Sequence, residues 1–313
     1  MEITFLSHRP LRELRDFNAP IRIVARNLMP VRTDEVLMPT PDLNVDFLII
    51  GAAKCATTWL QQSLSANKSL YLPEPELHFF SREYDRGIAW YQDQFSGFGR
   101  DVTIGEKSNS YLTESQAADR IAKHYPDVRL IAQLRDPVKR AYSDYCMLLR
   151  RGSVSTDIWR HLDPEKAADE RFLVDSRYGH HLTRFRDTFP EENLLILDFD
   201  DVTREPEKQL RRVADHLGVK GALHPPVQER VKDKNAPTVP HRFRRALAPL
   251  RPMLDPLRDK WPVRAIRDQI ARPVKYPPLH PDLAKKMRDH FLPDIELLQK
   301  FEPTISAHWL GER

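Results

Sequence analysis

Two stretches of the chain carry residue types suited to binding an anion. Segment 54–58 reads KCATT and follows an apolar run at 47–50. A strand that ends in small residues and then opens a helix presents backbone N–H groups to a negative charge. Lys54 adds a positive charge, and Thr57 and Thr58 add hydroxyl donors. This stretch predicts an anion site, with an ordinary tight turn and an exposed lysine as the alternative.

The spacing within this segment excludes two common phosphate chemistries. A Walker A loop places its lysine directly before the hydroxyl residue, whereas Lys54 precedes Thr57 by three positions. Cys55 does not open a C-x5-R phosphatase loop, because position 61 is Gln61.

The second stretch follows an apolar run at 128–134, and a helix is predicted from Pro137 to Leu149. Ligands of an open parallel sheet bind beyond the carboxyl ends of its strands. Arg135 would therefore bind a second phosphate, with Ser143 about two turns into the helix. An arginine–aspartate pair that caps the helix is the alternative.

Two further segments offer acid–base groups. Segment 76–80 reads ELHFF and places Glu76 and His78 two positions apart, on one side of an extended chain. The apolar surroundings predict a pKa of Glu76 raised by desolvation. Segment 105–107 reads GEK and supplies Lys107. The alternative interpretations are that His78 is an ordinary core histidine and that Lys107 is a solvated lysine.

Strand-like apolar runs alternate with helix-like segments along the chain. This alternation predicts an α/β fold, a parallel sheet with helices on both faces. Residues 1–43 are expected to form an N-terminal arm, and residues 44–313 a single domain with a Pro-rich C-terminal helical segment over the cleft. The expected strands lie at 47–50, 128–134 and 194–197, and the expected helical segments at 58–65, 114–124, 137–149, 177–189, 205–217 and 282–301.

Composition bounds the class of protein. With 41% hydrophobic and 30% charged residues, the chain of 313 residues can bury a core. Its longest apolar run, at 47–53, is too short to span a membrane, and the N-terminus lacks the apolar core of a signal peptide. Only Cys55 and Cys146 are present, so no disulfide framework is possible. A cytoplasmic location is expected.

The net charge of +4 is concentrated in one stretch. Residues 241–272 contain nine lysines and arginines against three aspartates, which suits an anionic partner such as a charged glycan. A solvated basic surface is the alternative. No nucleic-acid-binding module is recognisable, so no such partner is expected.

In order and spacing, the four segments resemble the sulfotransferases that use 3′-phosphoadenosine-5′-phosphosulfate (PAPS), particularly the heparan sulfate and other carbohydrate branch. Segments 178–182, 195–199 and 216–218 also fit, so the likeness runs from about residue 46 to residue 309. It implies a P-loop-like fold, PAPS as donor and adenosine 3′,5′-bisphosphate as product.

The resemblance also implies residue roles. Glu76 would be the general base, Lys54 and Lys107 would stabilise the developing charge, and His78 would orient the acceptor or Glu76. No metal is expected, because a sulfuryl group carries less negative charge than a phosphoryl group. The implied nucleotide contacts are Lys54, Cys55, Ala56, Thr57, Thr58, Arg135, Ser143 and Tyr178.

Three departures from the family pattern stand out. The family loop reads KGGT, whereas this chain has Cys55 and Ala56 in place of the glycines. An aspartate follows E-x-H-F-F in the heparan 3-O-sulfotransferases, but Ser81 stands here. Their C-terminal S-K-G-R loop is not reproduced, and Arg272 or Lys275 is expected to substitute for it.

The sequence therefore predicts sulfuryl transfer to a hydroxyl of a carbohydrate or another small alcohol. One alternative is a magnesium-dependent P-loop kinase, since Asp198 ends an apolar run as a Walker B acid does. Another is a nucleotide-binding protein without activity.

Overall fold

The structure is a computed structural model that describes residues 44–98, 102–226, 274–300, 302–305 and 309. The predicted arm at 1–43, the basic stretch at 241–272 and Arg272 lie outside the described residues, and the domain boundary stays a prediction. No helix in the described ranges is both long enough and apolar enough to cross a membrane.

In the part of the chain that the structure describes, five parallel strands form one sheet in the order β2-β3-β1-β4-β5. The central strand, β1, is buried along its whole length. The carboxyl ends of β3, β1 and β4 therefore lie side by side at one edge, where ligands of parallel sheets bind. The strands are β1 (Phe47–Gly51), β2 (Leu70–Tyr71), β3 (Thr103–Lys107), β4 (Arg129–Leu134) and β5 (Leu194–Asp198).

Helices follow the strands in the sequence and cover the sheet. In the described ranges they are α1 (Thr57–Ser65), α2 (Ile88–Asp93), α3 (Ala117–His124), α4 (Pro137–Arg151), α5 (Ile158–Leu162), α6 (Pro164–Ala167), α7 (Arg171–Val174), α8 (Tyr178–Thr188), α9 (Phe199–Arg204), α10 (Pro206–Leu217) and α11 (Pro281–Gln299). Short 3₁₀ turns occupy Tyr84–Arg86 and Glu191–Asn193.

Apolar side chains of the sheet point alternately to two layers of helices. On β1, Leu48 and Ile50 pack in a cluster with residues of α3 and α8. Phe47 and Ile49 pack in a second cluster with residues of α1 and α10. This alternation follows from the two-residue period of a strand, and it confirms the predicted α/β fold with helices on both faces.

A close contact accompanies the register of β3 relative to β1. Phe47 pairs with Gly105, and a Cβ at Gly105 would lie 2.1 Å from the Phe47 ring. Only glycine accommodates the ring there. The same register places Lys107 opposite Ile49, close to the end of β1 where the predicted anion loop begins.

Helix α4 begins at the predicted Pro137 and ends at Arg151, two residues beyond the predicted end at Leu149. The Asp136 side chain accepts hydrogen bonds from the N–H groups of Val138 and Lys139, and Pro137 occupies the first turn. Gly152 ends the helix in the left-handed conformation. This capping holds Arg135, the residue before Asp136, at the carboxyl end of β4.

The C-terminal helix packs against the body of the domain. Leu283, Met287 and Phe291 of α11 share a cluster with residues of α4, α5 and α7. Asp294 accepts hydrogen bonds from the N–H groups of Gly179 and His180 at the start of α8. The predicted cover over the cleft depends on residues 227–273, which lie outside the described residues.

Candidate active site

Residues of two neighbouring elements, β4 and α8, contact the loop between β1 and α1. The Gln133 side chain of β4 donates a hydrogen bond to the Cys55 carbonyl at 2.6 Å. The Tyr178 hydroxyl lies 3.7 Å from the Cys55 sulfur. Lys54 and Ala56 adopt left-handed backbone conformations, with φ of 74° and 62°. The loop therefore turns sharply at both residues. The family pattern KGGT has glycine at the position of Ala56, and glycine adopts this conformation readily.

The start of α1 has the character of an anion site. The residue before the helix is Ala56, whose side chain has no hydrogen-bond acceptor and so cannot cap the first-turn N–H groups. These N–H groups and the positive end of the helix dipole favour a bound anion. Lys54 and Thr58 are partly exposed beside them.

Three of the predicted nucleotide contacts have buried side chains: Cys55, Thr57 and Tyr178. The Cys55 side chain is fully buried, and burial raises the pKa of its thiol to about 11. Its thiol is therefore not available to an anion. Tyr178 is also buried, with its hydroxyl against Cys55, so its side chain supports the loop from beneath.

The second predicted phosphate site lies at the adjacent strand end. Arg135 is partly exposed, and its guanidinium lies 4.5 Å from the centre of the Phe199 ring. It is near enough to Cys55 to lower the pKa of that thiol against the effect of burial. Ser143 is partly exposed on α4. Asp136 caps α4, so the predicted alternative of a capping aspartate holds for this residue.

The candidate acid–base residues come together at the ends of β3 and β1. Glu76 Oε1 lies 3.0 Å from Lys107 Nζ. Asn109, just beyond β3, donates to the same carboxylate from its backbone N–H and its side-chain Nδ2, both at 3.0 Å. The Glu76 side chain is 26% exposed and that of Lys107 only 4%. The Lys107 side chain is therefore buried, whereas the Glu76 carboxylate is partly exposed to solvent.

The prediction of a raised pKa for Glu76 is wrong. Burial does raise the pKa of Glu76, but the Lys107 ammonium and the Asn109 N–H outweigh it, and the net pKa lies below the ordinary 4.5. The sequence showed the apolar neighbours of Glu76 and could not show the cation opposite it. Glu76 is therefore ionised at neutral pH and ready to accept a proton.

His78 is anchored by three serines. The backbone N–H of His78 donates to Ser108 Oγ at 2.7 Å, and its ring Nδ1 lies 2.8 Å from Ser110 Oγ. Ser110 Oγ in turn lies 2.7 Å from Ser81 Oγ. The other ring nitrogen, Nε2, is 3.8 Å from Glu76 Oε2. Burial lowers the pKa of His78, which favours the neutral ring.

The predicted C-terminal contacts differ in what the structure describes of them. Lys275 is exposed in the stretch before α11 and makes no hydrogen bond or ion pair with the described site residues. Arg272 lies outside those residues. Among the described side chains, no group of three or more His, Cys, Asp or Glu is arranged to hold a metal ion.

Comparison with known proteins fits this arrangement of strand-end loops. Residues 99–222 match the model of the sulfotransferase family. Heparan sulfate glucosamine 3-O-sulfotransferase 3B1 of Mus musculus is 32% identical over 181 residues, which is 55% of this chain and 46% of that protein. Heparan sulfate glucosamine 3-O-sulfotransferase 6 of Mus musculus is 33% identical over 178 residues, which is 55% of this chain and 52% of that protein.

The predicted resemblance to the sulfotransferase family is confirmed. The chain spans about half the length of the curated sulfotransferases that it matches. A crystal structure of a sulfotransferase from Alicyclobacillus acidocaldarius superposes with a TM-score of 0.61 over 84% of this chain and 98% of that one. At 22% identity, this likeness bears on the sulfotransferase fold alone.

Sequence reasoning missed Asn109 and Ser110, which are polar residues of this candidate site. Asn109 contacts Glu76 through two groups, and Ser110 anchors His78. They stand two and three positions after Lys107, in the segment NS at 109–110. Their position just past a strand was the available signal, but β3 was not among the predicted strands.

Proposed function

We propose that this chain is a PAPS-dependent sulfotransferase that moves a sulfuryl group to a carbohydrate hydroxyl. The observation that carries the proposal is the 3.0 Å contact between Lys107 Nζ and Glu76 Oε1, next to the start of α1. It pairs a base with a cation at an anion site. The named relatives act on heparan sulfate, which supports a glycan acceptor.

Two strand ends would bind the nucleotide. Lys54 and the first-turn N–H groups of α1 would bind the 5′-phosphosulfate end, because they face the carboxyl edge of β1. Arg135 and Ser143 would bind the 3′-phosphate beyond β4. Since β1 and β4 are neighbours in the sheet, both contacts fall on one edge.

The chemistry is an in-line displacement. A bond forms between the acceptor oxygen and sulfur while the bond between sulfur and the 5′-phosphate oxygen breaks, and its electron pair leaves with adenosine 3′,5′-bisphosphate. Glu76 accepts the proton of the acceptor hydroxyl. A positioned base of this kind contributes about 10²–10⁴ in rate.

Lys107 has two tasks in this scheme. Its ammonium holds Glu76 ionised before the reaction, and it then stabilises negative charge that develops on the sulfuryl and bridging oxygens. When Lys107 moves its contact from Glu76 to such an oxygen, the pKa of Glu76 rises. Glu76 is then a stronger base at the moment when the acceptor proton leaves.

The direct test is transfer of radiolabelled sulfate from PAPS to a panel of acceptors in excess EDTA. The panel contains an N-sulfated, otherwise unmodified heparan-type glycan, a neutral oligosaccharide and a long-chain alcohol. We expect label on the glycan, undiminished by EDTA.

Two outcomes would contradict the proposal. Transfer of phosphate from ATP that stops in EDTA would indicate a kinase. Tight binding of adenosine 3′,5′-bisphosphate without transfer to any acceptor would indicate a nucleotide-binding protein without activity.

A further inference from the structure

Asn109 joins the candidate base to the helix that follows the anion loop. Its Nδ2 donates to Glu76 Oε1 at 3.0 Å, and its backbone N–H donates to Oε2 at 3.0 Å. On its other side, Oδ1 accepts a hydrogen bond from Thr57 Oγ1 at 2.7 Å. One side chain thus spans from the first residue of α1 to the carboxylate.

The direction of these hydrogen bonds follows from the chemistry of the partners. An ionised carboxylate only accepts hydrogen bonds, so the amide NH₂ of Asn109 must face Glu76. Its Oδ1 must then face Thr57, and the Thr57 hydroxyl must donate. A hydroxyl has one proton, so Thr57 has no second proton to give to a phosphate.

Exposure distinguishes Thr57 from its neighbour. Thr57 is 3% exposed and points towards Asn109, whereas Thr58 is partly exposed in the same helical turn. Both threonines were expected to donate to the nucleotide. The structure gives their hydroxyls different surroundings.

We propose that Thr57 and Asn109 are positioning residues that hold Glu76 against the start of α1, and that the Thr57 hydroxyl is not a nucleotide ligand. This inference rests on the proposed function and deepens it. The bridge sets the distance between the loop that binds the donor and the base that acts on the acceptor.

The test separates affinity from turnover in three variants. Affinity for adenosine 3′,5′-bisphosphate is measured by calorimetry, and turnover is measured with PAPS and the best glycan. We expect Thr57→Val to keep wild-type affinity within about twofold and to lose about tenfold in turnover, the cost of one hydrogen bond. Thr58→Val is the matched comparison and should lose about tenfold in affinity. Thr57→Ser, which keeps the hydroxyl, should restore turnover.

A double variant tests whether Thr57 acts through Asn109. If it does, Thr57→Val combined with Asn109→Ala should be no slower than Asn109→Ala alone. Independent, multiplicative losses would overturn the bridge.

The pH profile gives a readout that a merely structural role would not move. Asn109→Ala removes one donor to Glu76, while Lys107 and His78 still face the carboxylate. The pKa of Glu76 should therefore rise, and the acid limb of turnover should move to higher pH.

The outcomes distinguish this inference from the proposed function. Loss of bisphosphate affinity in Thr57→Val equal to that in Thr58→Val overturns the inference while leaving sulfuryl transfer intact. A wild-type chain that binds the bisphosphate but transfers nothing refutes the proposed function, and the affinity comparison still decides the role of the Thr57 hydroxyl. A wild-type chain that does not bind the bisphosphate overturns both.

Discussion

Two glutamates near the end of β3 lie in contrasting surroundings. Glu76 is partly exposed, and Lys107 and Asn109 hold its pKa below the ordinary value. Glu106 precedes Lys107 on the strand and points to the opposite face, where it is fully buried near Tyr91 and Tyr111. Burial raises the pKa of Glu106 to about 7, although a hydrogen bond from Ser108 opposes the shift.

The difference shows that burial alone does not decide the protonation of a carboxyl group. Both acids lose hydration, but only Glu76 has an ammonium at 3.0 Å. Ser108 joins the two environments, since its hydroxyl donates to Glu106 and its oxygen accepts from the His78 N–H. Glu76 is therefore suited to accept a proton at neutral pH, and Glu106 to fill a buried position in partly protonated form.

The largest expected effect is on turnover in Glu76→Gln. The amide cannot accept the acceptor proton, so turnover should fall about a thousandfold while affinity for adenosine 3′,5′-bisphosphate stays near that of the wild type. Steady-state rates and calorimetry measure the two quantities. Glu192→Gln, the same change at an exposed glutamate, is the control. Near-normal turnover in Glu76→Gln would remove Glu76 from the mechanism.

Lys107→Met should lose about a hundredfold in turnover, because a cation at the developing charge is removed. It should also raise the pKa of Glu76, with His78 and Asn109 as the remaining partners, and so move the acid limb of turnover to higher pH. The pH dependence of turnover measures both effects. Lys123→Met, at an exposed lysine of α3, serves as the control. An unchanged acid limb would contradict the pairing of Lys107 with Glu76.

Much of the fold was predictable from local sequence. Three strands are rich in apolar residues, and α4 has both its N-terminal Asp136 and its C-terminal Gly152 in the sequence. These signals depend on neighbours along the chain. Strand β3 gave no such signal, because it reads TIGEK and buries a glutamate and a lysine.

The site was predictable in its parts but not in its contacts. Glu76 and Lys107 are 31 positions apart in the sequence, and they meet where the segment after β2 passes the end of β3, the strand that pairs with β2. The lowered pKa of Glu76 depends on that contact, so local apolar neighbours led to the wrong sign. The three serines around His78 likewise come from two separate segments.

Glu106→Gln should have the smallest effect on turnover, less than about threefold, because Glu106 lies on the opposite face of β3 from the base. Its effect should appear in stability instead. The folded state keeps a proton on Glu106 between pH 4.5 and about 7, where the unfolded state releases it. Wild-type stability therefore falls as pH rises through this window, by up to roughly 3 kcal/mol.

The Glu106→Gln variant should lack this loss, and urea unfolding at several pH values measures it. Glu76 contributes with the opposite sign, since its lowered pKa gives stability that is present above pH 4.5 and lost as pH falls through the folded value. An equal decline of stability with rising pH in wild type and Glu106→Gln would show that Glu106 is not the buried acid described here.

Nucleotide-dependent thermal stability tests the central claim most directly, because the two strand ends must bind the two phosphate groups of one adenosine nucleotide. At about 100 times its dissociation constant, a ligand adds about 2.7 kcal/mol, or roughly 4 °C in Tm for a chain of this size. Adenosine 3′,5′-bisphosphate should give this shift, and Arg135→Ala should abolish most of it. A shift with ATP but none with the bisphosphate would contradict the claim.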